Sequence, residues 1–102
     1  MKEYSELMTN WHQRYPHLRA PTRHAIDTLN NYVKTGNILD GFIVAMLAND
    51  LKKAVERADN ENINTIPSLV VYMKYELPPI SWGHYDNIDD WQERIRINSN
   101  DT

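Results

Sequence analysis

Residues 41–59, GFIVAMLANDLKKAVERAD, constrain the chain more than any other stretch, because they carry its longest run of helical periodicity. Ile43, Leu47, Leu51, Ala54, Val55 and Ala58 recur at three- and four-residue steps, while Lys52, Lys53, Glu56 and Arg57 point away from them. By period alone this is one long amphipathic central helix with Leu47 and Leu51 in the core. A polar pair, Asn49-Asp50, punctuates it. Asp40 stands just before it as an N-cap whose carboxylate accepts free amide hydrogens.

The flanking segments read as further helices. Tyr4, Leu7, Met8, Trp11 and Tyr15 have i, i+3, i+4, i+7 spacing, so a first helix covers about residues 3–14 and stops at Pro16. Pro16 and Pro21 bound an extended linker, PHLRAP. Thr22 then caps a second helix that buries Ala25, Ile26, Leu29, Tyr32 and Val33 and ends at Gly36. Downstream, Ile63, Ile66, Val70, Met73 and Leu77 form a seam spaced 3, 4, 3, 4 that runs to Pro78-Pro79. Pro67 interrupts it, either as a bend in a helix starting near Asn60, the preferred reading, or within the first turn of one starting near Thr65. The β-branched run 69–72 could also form a strand, but the chain offers it no partner. A last helix is expected from Asp86, with Asp89 completing a capping box, Ile88, Trp91 and Ile95 facing inward, and Arg94 and Arg96 at its end.

These segments predict an all-α fold, a compact bundle of four to five short helices. At 102 residues the chain is one domain: 1–97, with 1–20 as N-terminal helix and linker and 22–97 as the main body, followed by a flexible tail, 98–102. With no cysteine there is no disulfide framework and no thiolate chemistry. A net charge of −3 disfavours a nucleic-acid-binding regulator. No apolar run approaches the ~18 residues of a membrane span, and the opening MKEYSELMTNW has no signal-peptide pattern, so a cytoplasmic protein is expected.

The order of elements also resembles a family. The string TRHAIDTLNNYVKTGNILDGFIVAMLANDLKKAVERADNEN, followed by YMKYELPPISWGHYDNIDDW, is similar to small, functionally uncharacterised proteins of tailed bacteriophages and prophages. The resemblance covers about residues 22–91. It is carried by Thr22, Tyr32-Val33, Gly36, Gly41-Phe42, Asn49-Asp50-Leu51, Ala58-Asp59, Asn62, Tyr75-Glu76, Pro78, Trp82-Gly83 and Trp91. Leu39-Asp40, where the family has a proline-and-glycine turn, and Pro67 depart from the pattern. The resemblance implies a phage setting, in the cytoplasm of a bacterial host, and no reaction.

Candidate chemistry is sparse. No GxSxG elbow, glycine-rich phosphate loop or HExxH motif is present, so no enzyme activity, cofactor or metal is expected. Asp59, Asn60, Glu61 and Asn62 cluster oxygen ligands, but an interhelix turn explains them better than a cation loop. The one charge asymmetry is residues 11–24, with three arginines, three histidines and no acid. Arg14, His17, Arg19, Arg23 and His24 could hold an anionic ligand or an acidic partner, with Arg19 and Arg23 mattering most, or could simply decorate a strap packed through Trp11 and Tyr15. Asp50, Arg57 and Trp82 form a second candidate set, for which capping, pairing and anchoring are the simpler roles. By analogy with other tiny phage accessory proteins, the expected function is non-catalytic binding and neutralisation of a host factor, a defence component among the candidates. A sponge for small anionic nucleotides is the alternative. Surplus apolar side chains, Tyr4, Met8, Trp11 and Tyr72, point to a homo-oligomer.

Overall fold

The computed structural model describes residues 3–100. Six α-helices occur among them and no strand: α1 (Tyr4–Arg14), α2 (Arg23–Thr35), α3 (Gly41–Leu47), α4 (Leu51–Arg57), α5 (Ile66–Glu76) and α6 (Tyr85–Asn100). Short 3-10 turns, Asn62–Thr65 and Pro79–Ser81, precede α5 and α6. The fold is all-α as expected, with one helix more because the central segment is broken.

α2 follows its sequence signals at both ends. Thr22 Oγ1 accepts from the Ala25 amide at 3.1 Å, and Gly36 closes the helix with φ 76°, where a side chain would be strained. α3 is apolar on nearly every side, with Phe42, Ile43, Ala45, Met46 and Leu47 all buried, which makes it the rod against which α2, α4 and α5 pack. Ala25, Ile26, Leu29 and Tyr32 of α2, Ala54 of α4, Leu69, Tyr72 and Met73 of α5, and Ile88 of α6 complete the core.

The expected continuous helix 41–59 is corrected at residues 48–50. Asn49 takes a left-handed conformation, φ 58°, and the amides of Asn49 and Asp50 bond back to the carbonyls of Met46 (3.1 Å) and Ala45 (2.9 Å). This is the Schellman pattern that ends a helix. Asp50 then caps a new one, accepting from the Lys53 amide at 3.2 Å. The change of axis turns Leu51 outward, 66% exposed, and Val55, 47% exposed, so neither is the core residue that the period predicts.

The third helix is corrected as well. Residues 62–65 form a 3-10 turn, and the Asp59 Oδ1 just before it accepts from the amides of Glu61 (3.1 Å) and Asn62 (2.7 Å). Pro67 lies in the first turn of α5, where its missing N–H costs nothing, so no bend is needed. The buried side is Ser68, Leu69, Tyr72 and Met73, while Ile63 and Val70 of the predicted seam stand at the surface. For α6 the cap is His84, whose Nδ1 accepts from the Asp86 amide at 3.1 Å, so Asp86 belongs to the first turn. α6 continues through residues 98–100, leaving Arg94 and Arg96 short of its last turn, and residues 101–102 of the expected tail lie outside the described residues.

Candidate functional site

The linker between α1 and α2 is held at several points along its backbone. Trp11, 2% exposed, packs against Tyr15 with the rings tilted at 44° and their centres 4.7 Å apart, and directs its indole N–H to the Leu18 carbonyl at 3.4 Å. The buried Ser68 hydroxyl of α5 donates to the Arg19 carbonyl. Pro21 is buried, and Thr22 Oγ1 reaches Asn62 Oδ1 at 3.4 Å. The linker is therefore a strap laid across the start of α5.

Its cationic side chains stay outside. Arg14, His17, Arg19, Arg23 and His24 are all exposed. They are not equally available, however. The Arg23 guanidinium lies 4.8 Å from the centre of the Tyr4 ring, tying α1 to α2, and His24 Nε2 lies 3.0 Å from Asp40 Oδ2 at the start of α3. Arg14 lies over its neighbour Tyr15 at 5.5 Å. Among the described residues no carboxylate pairs with Arg14, His17 or Arg19.

The second candidate set is divided. Asp50 and Trp82 line one small cavity of about 40 Å³, together with Ala45, Leu51, Ile66 and Val70, while Arg57 points elsewhere, donating to the Gly41 carbonyl at 3.3 Å. Two later contacts secure the helix break: the Gly83 amide donates to the Leu47 carbonyl at 2.7 Å, and the Tyr85 hydroxyl donates to Asp50 Oδ2 at 2.7 Å. Tyr85 is the partner that sequence reasoning missed. The bond spans 35 residues, and no local pattern announces it.

The Tyr85 hydroxyl first, and the Lys53 amide second, hold the Asp50 carboxyl below the usual carboxylate range, and the same bond raises the Tyr85 phenol. A depressed carboxyl stabilises the fold above its unfolded-state pKa and loses that contribution as pH falls through the folded value; a raised phenol contributes below its unfolded-state pKa and loses it as pH rises. Acid titration of unfolding stability should therefore show a component below about pH 4 in the native chain that is missing in Asp50→Asn and weakened in Tyr85→Phe. Identical acid limbs in all three proteins would rule the link out.

No group of three or more histidine, aspartate or glutamate side chains among the described residues is placed to hold a metal ion. No helix among them is long and apolar enough to cross a membrane. Comparison with protein-family models, curated proteins and solved structures finds no match to this chain.

Proposed function

We propose that this chain is a non-catalytic phage accessory protein that binds an acidic surface of a host protein through the strap and thereby neutralises it. One observation carries the reading: the strap backbone is fixed by Trp11, Ser68 and Thr22 while Arg14, His17 and Arg19 remain exposed and unpaired by acids. A backbone ordered before binding avoids much of the ordering cost that a flexible basic loop would meet. Guanidinium groups recognise carboxylates through paired, planar hydrogen bonds. The net charge of −3 favours a local acidic patch over an extended polyanion, which the rest of the surface would repel. The setting, a bacterial cytoplasm, rests on the sequence resemblance.

The test is capture from bacterial lysate on the immobilised full chain, read by native mass spectrometry. A host polypeptide should be retained and its binding should weaken with salt. Arg14→Ala with Arg19→Ala should weaken it at least about tenfold with helical content unchanged. Full capture by that double variant would remove the strap from the site. A small nucleotide released on heating, with no polypeptide retained, would replace the reading with the sponge.

A further inference from the structure

Tyr4, Met8, Trp11 and Tyr72 are not the surplus apolar surface; Trp11 and Tyr72 are buried, and Tyr4 and Met8 half-buried. Among the described residues, four of the eight exposed large apolar side chains, Leu51, Val55, Ile63 and Val70, belong to α4, the 3-10 turn after it and α5. Leu51, Ile66 and Val70, the last 44% exposed, all line the cavity that α4 and α5 share. Val55 stands one turn beyond Leu51 on α4, and Ile63 one 3-10 turn before Ile66. These are two short apolar stripes, one from each helix, that the monomer leaves partly in water.

We propose that the stripe is covered by a second copy of this chain, with the two α4 helices antiparallel about a twofold axis. The charges on α4 select that occupant. Lys52 follows Leu51 and Glu56 follows Val55, so the apolar stripe is edged on its solvent side by a cation and an anion one helical turn apart. Antiparallel pairing about an axis between Lys53 and Ala54 brings Leu51 near Val55 of the second copy and Lys52 near Glu56 of the second copy, twice by symmetry. A parallel twofold pair would instead put Lys52 and Glu56 on opposite edges of the seam from their copies and form no such contact. A standard interface takes ~800 Å² from each partner, about an eighth of the 6451 Å² surface.

This inference goes beyond the binding role of the strap and uses a different surface. Ser68, which holds the strap, and Val70, which lines the stripe, are two residues apart on α5, about 200° around the helix. Pairing through the stripe therefore leaves both straps free, and the dimer would present two copies of the basic site to an oligomeric or repeated target.

Sedimentation equilibrium of the purified full chain tests it, with circular dichroism to verify that each variant remains helical. The native chain should self-associate at concentrations up to about 100 µM, a range accessible to weak interfaces. Leu51→Asp should be monomeric throughout. Lys52→Glu and Glu56→Lys should each raise the dissociation constant by about tenfold, since two exposed pairs change from attraction to repulsion. Combining Lys52→Glu with Glu56→Lys should restore native association. A native chain that stays monomeric overturns the proposal, and so does a dimer indifferent to Leu51→Asp or not restored by the double exchange. Strap function is read separately, in the Arg14 and Arg19 variants, so either proposal can fail without the other.

Discussion

Leu47→Ala should cost ~2–5 kcal/mol of folding stability, whereas Leu51→Ala, measured in dilute solution, should cost less than about 0.5 kcal/mol. The two leucines are one turn apart by sequence period, and a continuous helix would bury both. In the structure Leu47 is 0% exposed on the last turn of α3, and Leu51 opens α4 at the surface. Removing the Leu47 side chain leaves a void in the buried cluster that close packing cannot refill. Leu51 is already 66% exposed, so removing it forfeits little buried area. For a domain of this size the first change should lower the melting temperature by on the order of 10–30 °C and the second by a few degrees at most. Equal losses at both positions would restore the unbroken helix.

The break shows what a sequence period leaves undecided. The apolar spacing across residues 43–58 is real, but period reports only which side chains could share a face on a straight axis. Asn tolerates the left-handed conformation and Asp caps well, so Asn49-Asp50 is a helix stop followed by a helix start. That chemistry was legible. Its outcome depends on Gly83 and Tyr85, which complete the bonding at Leu47 and Asp50 from more than thirty residues away. By contrast, α2 carries both of its caps within its own sequence, Thr22 and Gly36, and its buried face matches the period.

α5 fails to declare its inner face for another reason. Ile66, Leu69, Val70, Val71, Tyr72 and Met73 surround the helix with apolar side chains, so spacing alone cannot choose among them. The core instead takes in two hydroxyls. Ser68 is buried because the Arg19 carbonyl in the strap needs a donor, and Thr65 because its hydroxyl donates to the Asn62 carbonyl at 2.9 Å. Hydroxyls read as surface residues in a sequence, and here the strap draws one inward. The exposed cations of the candidate site were readable from charge alone; the fixation of their backbone was not, since its donor lies 49 residues away.

Trp11→Ala should open α1 and the strap, lowering the local opening free energy of residues 4–22 by ~3–5 kcal/mol or to the limit of detection. Trp11 is buried, yet it stands apart from the main apolar cluster of α2, α3 and α5 and packs beneath the strap with Tyr15. The loss should therefore be regional. Hydrogen exchange should rise across α1 and the strap while α2, α3 and α5 keep their protection, and an equal loss of protection everywhere would place Trp11 in one cooperative core. The same variant divides charge from pre-organisation at the proposed site. Trp11→Ala keeps every arginine and histidine but must order the strap on binding, at ~0.5–1.5 kcal/mol for each side chain immobilised. Arg14→Ala with Arg19→Ala keeps the ordered strap and removes the charge. If a fixed basic strap is the binding element, both variants should bind the captured partner more weakly, and only the first should lose protection in the strap. Native binding by Trp11→Ala would mean that charge acts without the fold's help.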